Sequence, residues 1–265
     1  MLQVERHILI FNHIQKNGFA QVKELSNIFN VSLETIRRDL ATLAENKKIV
    51  RSFGGAALLE HNAFALEVDH PTGLKHFVDK AESFLKRTHE GTDFKTKIAK
   101  AALQFIKEND CIMMDNSTTC WFIARQMPDI DITVITNSLN IVQTLACRKK
   151  VRIISVGGEY SERHGDFHGP VAELTIKSFK VSKFFFSCQG IDSEYAIRDG
   201  SELNVRLKQE MLKVTDKKIL LADSRKFDQH SIYKICNLSD IDVLITNKLP
   251  AEKYRCERIE TIETD

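Results

Sequence analysis

Apolar residues recur at helical spacing three times in the first fifty positions. Val4, Ile8, Phe11 and Ile14 form one stripe that stops at Gly18, and Val22, Leu25, Ile28 and Phe29 form a second that closes at Asn30. Ile36, Leu40 and Leu43 form the third, with Ser32 placed to cap its start. Three short helices are therefore predicted. The third stripe also orients its own helix, because Glu34, Thr35, Arg37 and Arg38 fall largely outside it and must face solvent or a partner. The following KKIVRSFGGAALL reads as a short strand, a Gly-Gly turn and a second apolar run, which is a hairpin.

After position 57 the pattern becomes polar and irregular. A breaker at 71–73 precedes a stripe of Leu74, Phe77, Ala81, Phe84 and Leu85, which predicts an amphipathic helix packed on its own chain. From about Lys97 the pattern changes again. The runs CIMMD, ITVIT, VRIISV, VSKFFFS, KKILLAD and DVLIT are too short for buried helices, and several are separated by amphipathic stretches. Such alternation predicts an α/β domain with a largely parallel sheet. The expected organisation is 1–57, a small helical unit with a hairpin; 58–95, a connector with a helix; and 96–265, the α/β domain.

Composition narrows the classes. With 265 residues, 43% hydrophobic and 28% charged, the chain can bury two cores. It has no apolar run approaching the roughly 18 residues a membrane span needs, and MLQVERHILI is unlike a signal peptide, so a cytoplasmic protein without membrane association is expected. The six cysteines at 111, 120, 147, 188, 236 and 256 form no C-x-x-C pair and read as reduced structural thiols. The net charge is only +2, yet residues 1–60 hold eight Lys/Arg against six Asp/Glu and so carry the whole excess.

That excess acquires meaning from its placement. Helix, tight turn, a second helix with a polar start, then a basic hairpin is the geometry of a winged helix-turn-helix, which docks on double-stranded DNA. A planar guanidinium at Arg37 or Arg38 can fork onto a guanine edge or a phosphate, whereas Lys47, Lys48 and Arg51 suit contacts to the DNA backbone. The plain alternative is a solvated face carrying an ion pair such as Glu34 to Arg38.

In the second half the polar residues collect after the apolar runs. Asp115, Asn116, Ser117, Thr118 and Thr119 follow the first, Thr136, Asn137 and Ser138 the second, and Gly157 and Gly158 the third; Gly190 and Asp192, then Asp223 and Lys226, follow later ones. In open α/β sheets ligands bind at that edge. Hydroxyls and free N–H groups opening a helix can cradle an anion, paired glycines admit a ligand, Lys226 can neutralise phosphate, and Asp115, Asp192 or Asp223 can accept from sugar hydroxyls. Each loop alone has a local explanation in caps and turns; their convergence on one edge favours a phosphorylated polyol.

The stretch VSLETIRRDLATLAENKKIVRSFGGA resembles the N-terminal signature of the DeoR family of bacterial transcription regulators. The resemblance implies DNA contacts from Ser32, Glu34, Thr35, Arg37 and Arg38, with a wing around Arg51, Gly54 and Gly55. DNSTT, VITNSLNIV, VGGEY, FHGP, CQGID and LLADSRKFD are similar to the family's sensor domain, whose fold resembles the ribose-phosphate isomerase and CoA-transferase group and which binds a phosphorylated sugar or related metabolite. STTCWFIARQMPDIDI and CQGIDS are most similar to the L-fucose operon regulators within the family, which places L-fuculose 1-phosphate among the candidate effectors. One departure is that Glu194 and Tyr195 stand where the family often has a glycine.

The resemblance implies regulation of a carbohydrate catabolic operon, with no cofactor and no catalysis. The competing class is a sugar-phosphate isomerase-like enzyme on the same fold, with Asp115, Asp192 and Lys226 as proton-transfer groups. A metal site at His164 and His168 is set aside, because no acid cluster accompanies them in sequence. A single reading head is poorly selective, so a homodimer or homotetramer matching paired half-sites about 34 Å or a multiple apart is expected.

Overall fold

The structure, a computed structural model, describes residues 3–17, 19–45, 49–52, 55–58 and 84–264. They fall into two compact units on either side of 59–83. Lys47, Lys48 and Gly54, and most of the amphipathic stripe at 74–85, lie outside the described residues.

The first unit runs α1 (Gln3–Asn17), β1 (Phe19–Gln21), α2 (Val22–Phe29), α3 (Leu33–Glu45), β2 (Ile49–Ser52) and β3 (Gly55–Leu58). Asn30 adopts a left-handed conformation (φ 51°) that ends α2, and the Ser32 hydroxyl accepts from the Thr35 amide at 3.1 Å to start α3. Ile36, Leu40 and Leu43 are buried with Ile10, Ile14 and Leu25, each such side chain contributing about 1.5–3 kcal/mol. The expected face of α1 is turned: Ile8 is 56% exposed, while Ile10 and Arg6 are buried. The reason is Asp39, buried on the inner face of α3, toward which Arg6 must point. The hairpin is present as antiparallel β2 and β3, and β1 adds a third strand that the sequence pattern did not suggest.

The second unit opens with α4 (Phe84–His89) and α5 (Thr92–Ala102), followed by β4 (Cys111–Met114), α6 (Thr118–Gln126), β5 (Ile132–Thr136), α7 (Leu139–Leu145) and β6 (Val151–Ser155). Next come β7 (Glu159–Ser161), β8 (Asp166–His168), α8 (Pro170–Lys177), β9 (Val181–Phe186), β10 (Gly190–Ile191) and β11 (Ala196–Asp199). The chain finishes with α9 (Glu202–Lys213), β12 (Thr215–Leu221), β13 (Tyr233–Asn237), β14 (Val243–Thr246) and β15 (Glu260–Glu263). Seven strands form one sheet in the order β15-β14-β12-β9-β4-β5-β6, and every pair in it is parallel.

A parallel sheet needs both faces covered, and the triplet Phe184, Phe185 and Phe186 in β9 shows how. Phe184 and Phe186 join the core with Ala172 and Ile176 of α8 and Leu207 and Met211 of α9; Phe185 points the other way, into the core with Ile98, Ile123 and Ile141. Residues 84–95, which the sequence pattern assigned to the connector, are held on this second layer: Phe84 meets Trp121 of α6 edge-on at 5.9 Å. Among the described residues no helix is long and apolar enough to cross a membrane.

The strand order carries the positional information. From β4 the chain adds β5 and β6 on one side, and from β9 it adds β12, β14 and β15 on the other. The reversal lies between β4 and β9, where the loops leaving their C-terminal ends diverge and open a crevice.

Candidate functional site

The outer face of α3 presents Glu34, Arg37 and Arg38 to solvent, and Ser32 beside it is exposed. Both arginines share one acid: Arg37 Nη1 lies 3.4 Å from Glu34 Oε2 and Arg38 Nε 3.8 Å from Glu34 Oε1. Exposed pairs of this kind contribute about 0–1 kcal/mol, so the fold does not depend on them. Thr35 is half-buried, its hydroxyl 2.8 Å from that of Ser32 at the cap. The inner face is fixed by Asp39, which accepts from Arg6 Nε at 2.6 Å and Nη2 at 3.1 Å and lies 2.9 Å from His7 Nε2. The hydrogen bond to Asp39 raises the Arg6 pKa against the opposing effect of burial. Arg51 lies in β2 opposite Ala56, and Gly55 is buried where β3 pairs with both Ser52 and Gln21.

In the second unit a cavity of about 330 Å³ opens at the reversal point. The end of β4 supplies Asn116 and Ser117, which lead into Thr118 and Thr119 of α6; the end of β9 supplies Ser187, Cys188 and Gln189. Ser117 caps α6, its hydroxyl accepting from the Cys120 amide at 3.2 Å. Asp115 holds the two loops together, one oxygen accepting from the Ser117 amide and the other from the Ser187 amide, both at 3.0 Å.

Beneath them Lys208 of α9 enters the cavity wall fully buried. Its Nζ donates to Asp199 at 2.7 Å and to the Ser187 carbonyl at 2.8 Å, and lies 3.2 Å from Asp115. Burial alone would lower its pKa, but Asp199 and Asp115 outweigh burial and hold it well above the ordinary lysine value. Lys208 is thus a fixed cation that welds three loops. Burial also opposes ionisation of Asp199, yet Lys208 draws its pKa below the usual carboxylate range.

The opposite wall is basic. Arg87 of α4, Lys95 of α5, and Arg225 and Lys226 of a short 3-10 turn (Ser224–Lys226) all line the cavity, with Glu90 beside them. Arg225 is paired with Asp223 through Nε at 2.8 Å and Nη2 at 2.9 Å. Lys95 is buried and donates to the Arg87 carbonyl. Burial first, then Lys226, push its pKa down to about 8, with Asp223 opposing. Cys188 lies among these groups, but burial pushes its thiol up to about 12, which leaves no thiolate for chemistry.

Of the residues expected from sequence, Asn116, Ser117, Thr118, Thr119 and Lys226 meet at the cavity, and Asp115 and Asp223 stand directly behind it. The others do not line it, for a reason visible in the strand order. Thr136, Asn137 and Ser138 follow β5, one strand from the reversal, and serve local structure: the Thr136 hydroxyl accepts from the Ser138 amide, the Ser138 hydroxyl caps α7, and Asn137 donates to the Phe167 carbonyl. Gly157 and Gly158 follow β6, two strands away, and shape the turn toward β7. Gly190 pairs with Arg198 in the β10–β11 hairpin, and Asp192 closes that hairpin by accepting from Arg198 and from the amides of Glu194 and Ala196. His168 lies 3.8 Å from Asp166, and no cluster of metal-ligating side chains occurs among the described residues.

Sequence reading missed Arg87, Lys95, Asp199 and Lys208. Two of these had a signal. Lys95 shares the buried stripe of Ile98, Ala99 and Ala102, and Lys208 shares that of Asn204, Val205 and Met211; a lysine on an apolar stripe needs a buried partner. Arg87 and Asp199 had none.

Comparisons with known proteins agree with this division. Residues 6–62 match the DeoR-like helix-turn-helix domain and residues 90–248 the DeoR C terminal sensor domain. The HTH-type transcriptional regulator YulB of Bacillus subtilis is 35% identical over 93% of this chain and 90% of its own length. The L-fucose operon activator of Haemophilus influenzae is 35% identical over 96% of both chains. Among solved structures, ribose 5-phosphate isomerase A of Methanocaldococcus jannaschii overlaps 52% of this chain and 55% of its own, with 12% identity and a TM-score of 0.39. The two domain matches and the near full-length relatives establish that this chain belongs to the DeoR family of DNA-binding transcriptional regulators.

Proposed function

We propose that the chain controls a carbohydrate catabolic operon, reading double-stranded operator DNA with its first unit and responding to a phosphorylated sugar held in the cavity of its second. The observation that carries this is the charge on the cavity wall. Lys208 is more than balanced by Asp115 and Asp199, and Arg225 is paired with Asp223, which leaves Arg87, Lys95 and Lys226 lining the same cavity as the start of α6, with Glu90 as the acid among them. Cations beside a helix N-terminus favour a phosphoryl group, and Asn116, Ser117 and Thr119 offer hydrogen bonds to hydroxyls. A volume of about 330 Å³ is at the small end of ligand sites and suits one sugar phosphate. The fucose-operon relative makes L-fuculose 1-phosphate the first compound to try. On the DNA side Arg37 and Arg38 are the groove-reading candidates, with Ser32, Glu34 and Thr35 beside them and Arg51 on the wing. Function as a homodimer or homotetramer in the cytoplasm completes the reading.

Thermal melting of the full-length protein against a panel of phosphorylated and free sugars tests the sensor half. A phosphorylated ligand at a hundred times its Kd should stabilise by about 2.7 kcal/mol, and the free sugar should not. For the DNA half, Arg37→Ala with Arg38→Ala should weaken operator binding and reduce the salt slope by about 1–2. Unchanged affinity and slope would remove these arginines from the interface. One feature favours an isomerase as the second reading: an amine, Lys95, whose pKa burial lowers to about 8, in the same cavity. Catalytic interconversion of fuculose or ribose phosphates by the purified protein would replace the sensor reading with that one.

A further inference from the structure

Among the cations of this cavity, Arg87 differs from the rest in its bonding. Its Nε and Nη2 atoms are buried, yet neither has a hydrogen-bond partner among the described residues. Buried donors on a charged group are normally paired, because water has been lost and nothing replaces it. Two of the nearby acids are already engaged: Asp199 accepts from Lys208 and from the Gly200 amide, and Asp223 accepts from Arg225 through three N–H groups. The third, Glu90, lines the same wall without bonding either of these Arg87 atoms. Phe84 lies 5.8 Å from the guanidinium carbon and satisfies its flat face, not its N–H edge.

The position of Arg87 matters as much as its bonding. It belongs to α4, a helix of six residues that begins where the segment from the DNA-reading unit, residues 59–83, ends. A helix that short has little stability of its own and is held by its contacts. Two of those contacts lead to the cavity. Phe84 packs on Trp121 of α6, the helix whose first turn lines the cavity, and the Arg87 carbonyl accepts from Lys95, another lining residue.

We infer that Arg87 is the positioning residue through which an anion in the cavity fixes α4, and so transmits occupancy to the segment leading to the DNA-reading unit. The inference rests on the cavity being the effector site, as proposed above. A phosphoryl group at the start of α6 presents two oxygens that the free N–H edge of Arg87 can fork, tying α4 to α6 through the ligand. Lys226 is on a different element and adds charge without gripping α4. The two residues therefore have separable effects: Lys226 sets how tightly the anion binds, and Arg87 sets both tightness and what binding does to α4.

Hydrogen exchange of the full-length protein with inorganic phosphate as the probe tests this, using Arg87→Gln, Arg87→Lys and Lys226→Gln beside the wild type, each first checked for an unchanged ligand-free melting point. Saturating phosphate should slow exchange across residues 84–89 in the wild type and in Lys226→Gln, the latter needing more phosphate. Arg87→Gln should bind phosphate about ten- to a hundredfold more weakly and show no slowing at saturation. Arg87→Lys, charged but without the fork, should recover affinity more than protection. Equal slowing in Arg87→Gln and wild type at saturation would overturn the inference while leaving the effector site standing. If neither phosphate nor any sugar phosphate raises the wild-type melting point, the effector site itself falls and the inference with it.

Discussion

Lys95 is buried where positive charge is already dense. Burial first, then Lys226, Arg225 and Arg87, disfavour its proton and Asp223 alone among the named neighbours favours it, so its pKa falls to about 8. Because the folded value lies below the ordinary 10.5, the charged form is penalised in the free protein at pH below 8; that penalty is relieved, and stability from this group rises, as pH climbs from about 8 toward 10.5. A phosphorylated ligand reverses the balance by adding negative charge, so binding should take up a proton. A phosphate monoester is already dianionic above about pH 7, its second pKa being about 6, which isolates the contribution of the lysine. Affinity should therefore hold to about pH 7 and decline as pH passes 8, by up to about tenfold per unit, while Lys95→Arg should flatten the decline. Calorimetric titration in buffers of different ionisation enthalpy measures the proton directly. At this scale the readable residues were those whose role follows from position after a strand, such as Asn116, Ser117 and Lys226. Arg87 was unreadable because its meaning comes from what fails to bond it, which only packing reveals.

Between residues and the whole lie the strands and turns, where pattern served unevenly. The six long apolar runs became six of the seven sheet strands because burial on both faces leaves a continuous hydrophobic signature. β15, with the sequence ETIE at the sheet edge, has no such signature, and neither do the short pairs β7–β8 and β10–β11. Strand order was also invisible to periodicity, and it decides which loops reach the crevice. That is why loops after β5 and β6 looked like binding loops, yet hold caps and turns and do not line the cavity. Gly158 shows such a turn at work. Its φ is +112°, and a Cβ there would stand 2.4 Å from the His168 carbonyl oxygen; Gly157, at φ +65°, has nothing within 4 Å. Gly158→Ala should destabilise the second unit by about 1–3 kcal/mol and Gly157→Ala by about 1 kcal/mol, read by urea unfolding. Equal effects at the two positions would mean that the turn relaxes more easily than its contacts imply.

For the chain as a whole, a regulator is defined by a coupling between two sites, and coupling is reciprocal. If a sugar phosphate changes operator affinity by some factor, operator DNA must change sugar-phosphate affinity by the same factor, ordinarily about 5–150-fold. Measuring both on one preparation checks the sensor reading, and Arg87→Gln should bring both factors toward one together. A mismatch between them would point to a hidden third equilibrium, such as a change in subunit association. The bidentate grip of Arg6 on Asp39 has a consequence of a different kind. It anchors α3 from behind, together with Ile36, Leu40 and Leu43, while Glu34, Arg37 and Arg38 contribute almost nothing to holding the helix. The outward letters of this helix can be rewritten without renegotiating its attachment, so if they read the operator as proposed, descendants, or an engineer, should be able to retarget the protein by editing positions 34, 37 and 38 and leaving position 39 alone.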